Sequence, residues 1–181
     1  RAHCRWARAR GRDDALTMRW RQLDSRRELA AASGGRARLC RSSDEIAAGR
    51  AEGVLAMVAH IEGADALDEE GEQLRAFWQA GVRSIGPFWN LRSRFGEGVS
   101  GSFPGTPDTG PGLTAAGEKL IQQAGERKMM IDVSHMKSKT IRETARTSPA
   151  PLVASHSNAP GPCPQPPHLT DDQLVATRAS A

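Results

Sequence analysis

Three residues of types that bind divalent metals close apolar runs in this sequence. "VLAMVAHIEG" (54–63) carries Glu62, "MMIDVSH" (129–135) ends on His135 and "PLVASHS" (151–157) carries His156. Carboxylate and neutral imidazole are standard zinc ligands, and two His plus one Glu leave the fourth position of a tetrahedral site to water. Glu62 and His135 are 73 residues apart, and His156 follows after another 21. That spacing excludes a helical His-Glu-x-x-His motif, so the ligands would have to come from separate elements. His60, two residues before Glu62 on the same strand face, is a candidate fourth ligand. Deeper in the strand, it also reads as a core histidine with satisfied hydrogen bonds. A strand-end histidine alone is more often a loop residue held by hydrogen bonds than a ligand, and it is the two histidines with a glutamate at equivalent ends that bring the metal reading level with it. His3 and His168 stand in irregular stretches and read as solvated.

Ligands from separate strands need strands that end side by side. Residues 13–33 read as a helix rich in Ala, Leu and Arg. Ser42-x-x-Glu45 is a capping-box start for a short helix, and a strand follows at 54–63. A helix begins at Asp68, with Leu74, Phe77 and Trp78 as its apolar stripe. Strand 82–89, helix 114–127, strand 129–134, helix 137–146 and strand 151–155 follow. Thr170-x-x-Gln173 opens a last helix. Between them, residues 90–112 are dense in Gly, Pro and Ser and too long for a mere connection, so they read as a functional or disordered loop. One helix and then four strand–helix repeats argue a parallel α/β sheet. The continuous apolar strands fit a sheet covered on its faces. In such folds, chemistry sits at the C-terminal ends of strands, where Glu62, His135 and His156 fall.

Composition narrows the classes further. The 181 residues are 38% hydrophobic, which suits one ordinary globular domain, although there is no Tyr. Residues 1–50 hold 13 Lys and Arg against 6 Asp and Glu, a balance of +7, while the remainder carries −3. A basic front could meet nucleic acid, but it lacks the aromatic interleaving of a single-strand binder and reads rather as Arg-rich composition. Three scattered cysteines (Cys4, Cys40, Cys163) form no C-x-x-C pair, so reduced cytoplasmic thiols are expected rather than a disulfide framework. No apolar run is long enough to span a membrane, and no secretory signal is seen.

Several motifs together resemble a known family. "HIEGADAL" (60–67), "GPFW" (86–89), "FPGTPDTGPGLTAAGEKLI" (103–121), "MMIDVSH" (129–135), "APLVASHSNA" (150–159) and "LTDDQL" (169–174) are similar, in order and spacing, to bacterial members of the membrane (renal) dipeptidase family. The resemblance covers about residues 40–178 and implies a (β/α)8 barrel with a two-zinc site that hydrolyses dipeptides. It implies that Glu62 is the bridging glutamate and that His135 and His156 complete one zinc position. The other position needs a His-x-Asp pair on the first barrel strand, and no His-x-Asp occurs in this sequence. The family's late aspartate, close to the bridging water, would fall beyond Ala181, so no catalytic side chain is assigned. Trp89 falls at a substrate-binding position, and the arginine for the substrate carboxylate falls near Pro167. Asp65 is either an outer partner of Glu62 or a cap at the start of a helix. The basic start resembles nothing in the family.

The expectation is therefore a partial barrel of about four parallel strands, roughly three to six of eight, at residues 39–181, behind a basic segment at 1–38. One zinc at most is expected. Activity on dipeptides is expected to be impaired, and open sheet edges to favour self-association. The rival readings are a catalytically inactive remnant of the family and, more remotely, a basic nucleic-acid-binding module.

Overall fold

The structure, a computed structural model, describes residues 12–90, 92–99, 110–158 and 169–179. His3, Cys4, Cys163, Pro167, His168 and the stretch 159–168 lie outside these residues, as do residues 91 and 100–109 of the central Gly/Pro/Ser-rich segment. The elements run α1 (Arg12–Ala32), β1 (Ala37–Cys40), α2 (Ser43–Ala51), β2 (Leu55–Glu62), α3 (Glu72–Gln79), β3 (Val82–Gly86), β4 (Arg92–Ser93), β5 (Gly96–Glu97), α4 (Ala115–Glu126), β6 (Met130–Asp132), α5 (Ser138–Thr147), β7 (Leu152–Val153) and α6 (Asp171–Ala179).

Five strands pair in parallel in the order β1-β2-β3-β6-β7, with helices between successive neighbours, as in a sector of a (β/α) barrel. The count is five because "ARLC" at 37–40 pairs with β2. This strand is too short, and too broken by Arg38, to show an alternation in the sequence. Ala59, Ile61, Ile85, Ile131 and Leu152 turn to one face and join Leu74, Phe77, Leu120, Ile121 and Ile141 from the helices in a continuous core. Each fully buried Ile, Leu or Phe among them contributes about 1.5–3 kcal/mol. The other face is not covered by helices: Val58 and Met130 there are 41% and 39% exposed. The expectation of a sheet covered on both faces is corrected to one covered face, with the strand-end polar residues on the open side.

Local chemistry explains where the elements start. Ser42 and Thr114 accept hydrogen bonds from the backbone of Glu45 and Gly117, capping α2 and α4. Thr170 and Gln173 bond reciprocally at the start of α6, a complete capping box. The helix expected from Asp68 starts at Glu72 instead. The Asp68 carboxylate stays outside it and accepts from the backbone N–H groups of Gly71, Glu72 and Gln73, while Gly71 takes φ +85°, which a helix cannot continue through. Part of the long loop is ordered too, as β4 and β5 form a small antiparallel hairpin. Among the described residues no helix is long and apolar enough to cross a membrane.

Candidate metal centre

Each of the three ligand-type residues is placed by a different local device. Glu62 is the last residue of β2, and the ladder to β3 continues past it through Gly63 N–H to Gly86 O (2.8 Å) and Ala64 N–H to Pro87 O (3.0 Å). His135 lies three residues beyond β6 and His156 three residues beyond β7. Because Asp132 and Val153 are register partners, these equal offsets bring the two histidines opposite each other. The strands therefore stop before the histidines, and turns deliver them. His135 occupies the left-handed region at φ +65°, an uncommon backbone for a non-glycine residue that is often found at functional sites.

The three side chains converge. His135 Nε2 and His156 Nε2 lie 3.4 Å and 3.2 Å from the same Glu62 oxygen, Oε1. The imidazole rings are 4.9 Å apart at 56°. Ligand atoms of all three lie within 4.8 Å of one another, and among the described residues this is the one group of this kind. The hydrogen bond from His135 holds the Glu62 carboxyl below its usual range; burial opposes this, and the charges of His135, His156 and His60 reinforce it. Two imidazoles and a carboxylate facing one point make a donor set suited to a transition-metal ion.

The surroundings tie the site to the fold. Asp132 is buried, and its Oδ1 accepts from the N–H groups of Ser134 (3.0 Å) and Ser155 (3.1 Å). The Ser155 hydroxyl donates to Asp132 Oδ2 and lies 2.7 Å from His156 Nδ1. Burial pushes the Asp132 carboxyl up, but hydrogen bonds from Ser155 and Ser134 outweigh it and hold it below the usual value. The hairpin grips the other histidine. Val99 N–H donates to His135 O (2.8 Å), Gly98 bridges to Met136, and Lys137 Nζ reaches Glu97 Oε2 at 2.7 Å.

His60 does not join the group; it lies on the open face of β2 rather than in the core, its Nδ1 is 2.8 Å from Ser84 Oγ, and partial desolvation lowers its pKa. Trp89 follows β3 and is 36% exposed, with its carbonyl packed against Gly98. A Cβ at residue 98 would stand 1.4 Å from that oxygen, so only glycine lets the hairpin approach. Asp65 caps no helix, a role that Asp68 fills, and its charge is felt by Arg19 instead. Arg19 of α1 also donates to the Glu62 carbonyl, and Trp20 stacks on Phe77 at 4.4 Å. Nothing in an Arg-rich helix marks Arg19 out by sequence. Asp132 and Ser155 sit inside quoted motifs, but only the β6–β7 pairing shows that they meet.

Comparison with known proteins now bears on the site. The sequence pattern of the membrane dipeptidase family, peptidase family M19, matches residues 3–180. This chain belongs to the membrane dipeptidase family. The match takes in the basic start, which no motif had connected to the family. Within the family, the chain is 59% identical to the "uncharacterized protein in pqqA 5'region" of Klebsiella pneumoniae, over 92% of its own length and 62% of that protein. It superposes on the metallopeptidase dipeptidase AC, of family M19, with a TM-score of 0.91 at 38% identity, covering 94% of this chain and 49% of that one. A metallopeptidase from Rhodobacter sphaeroides, liganded with a phosphinate mimic of the dipeptide L-Ala-D-Ala, matches with a TM-score of 0.85 at 41% identity, over 93% and 47%. This membrane dipeptidase family member thus spans about half to three-fifths of the length of these relatives.

Proposed function

We propose that this chain supplies the zinc-binding Glu-His-His part of a dipeptidase, an enzyme that hydrolyses the peptide bond of a dipeptide. The observation that carries the reading is the convergence of Glu62, His135 and His156 on one point at the C-terminal ends of parallel strands. Family membership and the dipeptide mimic bound by the Rhodobacter relative support the substrate class. Zinc suits two imidazoles and a carboxylate better than magnesium or calcium, which take all-oxygen sets.

Zinc held there would polarise the scissile carbonyl and activate water. The chain's own residues do the rest. Glu62 presents one oxygen to both histidines, compensating the charge of the cation they share. Trp89, three residues past β3 and 36% exposed, is the candidate contact for the substrate. Among the described residues there is one such ligand group, which accounts for a single zinc position. A single metal lacks the clamp that two provide on attacking and leaving atoms, and hydrolysis by this chain alone is slow.

The test is release of free alanine from L-Ala-D-Ala by the chain with and without zinc. Slow turnover that needs zinc and disappears in Glu62→Gln is the expected result. Turnover untouched by a chelator would sink the reading, and zinc bound without any turnover would identify an inactive family member.

A further inference from the structure

The hydrogen bonds around His156 fix which of its nitrogens carries the proton. Ser155 Oγ has a single proton. It faces Asp132 Oδ2, which as a carboxylate can only accept, and it also lies 2.7 Å from His156 Nδ1. With the hydroxyl proton given to the carboxylate, Oγ is left as an acceptor, and Nδ1 must bring its own proton. In the neutral ring, Nε2 then presents its lone pair toward Glu62 Oε1, 3.2 Å away. Two such acceptors at that distance suit a cation that both can hold.

We propose that Asp132 and Ser155 are positioning residues that hold His156 as its Nδ1–H tautomer, with Nε2 kept as a metal ligand. Asp132 is suited to this because it cannot turn: it is 1% exposed, and its other oxygen is fixed by the N–H groups of Ser134 and Ser155. The backbone of His156 is held at the same place, its N–H donating to Ser134 Oγ at 3.2 Å. An outer partner of this kind raises ligand basicity and sets ring orientation. His135 has no such partner, since its Nδ1 is buried without a hydrogen bond among the described residues.

The inference rests on reading Glu62, His135 and His156 as a zinc site, and its test separates the two ideas. The full chain, with 15N-labelled histidine, is examined zinc-free by long-range 1H–15N NMR, which distinguishes the tautomers of His156. Zinc affinity is measured in parallel by competition with a chromophoric chelator. In the wild type His156 is the Nδ1–H form. Ser155→Ala shifts it toward Nε2–H and weakens zinc about 10–100-fold, and Ser155→Thr, which keeps the hydroxyl, restores both. Asp132→Asn gives the same shift, because the amide it introduces can donate to Oγ and turn the hydroxyl proton toward Nδ1. Should Asp132→Asn fail to fold, the Ser155 pair carries the test. A tautomer shift in Ser155→Ala with no zinc bound by the wild type upholds the relay and removes the zinc reading. Zinc bound by the wild type, with tautomer and affinity unchanged in Ser155→Ala, overturns the relay.

Discussion

His135 and His156 stand at equal offsets from paired strands, yet the molecule aims them by opposite means. His135 is aimed by its main chain. Its φ of +65° turns the residue, and the hairpin clamps its carbonyl through Val99 and the next two residues through Gly98 and Glu97. Its side chain is 14% exposed and its Nδ1 has no partner among the described residues. His156 is aimed by side chains. It is 47% exposed, has an ordinary backbone, and leans on Ser155 and through it on Asp132. Two histidines at equivalent strand ends can thus be held by backbone geometry or by hydrogen-bonded side chains, and the two devices fail under different substitutions.

The largest expected effect treats the histidines alike. His135→Ala and His156→Ala should each weaken zinc by more than the roughly 10–100-fold that outer partners are worth, because two remaining ligands rarely hold the ion against water. Chelator competition reads this, and tight binding in either variant would break the equivalence.

Backbone substitutions should then separate them. His135→Gly should melt about 2–4 °C above His135→Ala, since glycine removes about 1 kcal/mol of left-handed strain that alanine keeps. His156→Gly should melt no higher than His156→Ala, because there glycine only adds chain entropy to be lost. Equal gains at both positions would mean that strain does not distinguish them.

A smaller effect concerns the hairpin. Lys137, through its hydrogen bond, holds the Glu97 carboxyl below its usual value, with their charge attraction adding to this and burial opposing it. A carboxyl depressed in the folded state stabilises above its unfolded pKa, and this contribution fades as pH falls through the folded one. Glu97→Gln should therefore cost about 1 kcal/mol near neutral pH, and the difference from wild type should vanish in acid. Zinc affinity should fall only a few-fold, through looser placement of His135. A stability difference that grows on acidification would reverse the assigned sign.

The same contrast explains what could be read without a structure. Apolar runs ending on Glu62, His135 and His156 mark strand ends, and the capping residues Ser42, Thr114 and Thr170 mark helix starts, because these signals are local. The strand at 37–40 escapes notice because its evidence is its pairing with β2. Asp132 reads as one polar residue in an apolar strand, and its bond to Ser155, 23 residues on, depends on a register set by pairing. The left-handed turn at His135 is harder still, since histidine, unlike glycine at Gly71, gives no sign of the conformation it will take. The hairpin at 92–99 hides in a Gly-rich stretch whose composition suits a loop equally well.

Zinc titration of the chain, read by stoichiometry in wild type, Glu62→Gln and the double variant His135→Ala/His156→Ala, addresses the central claim most directly. The account predicts one zinc per chain in the wild type, much weaker binding in Glu62→Gln and none in the double variant. Two zincs in the wild type, or one that survives loss of both histidines, would contradict it.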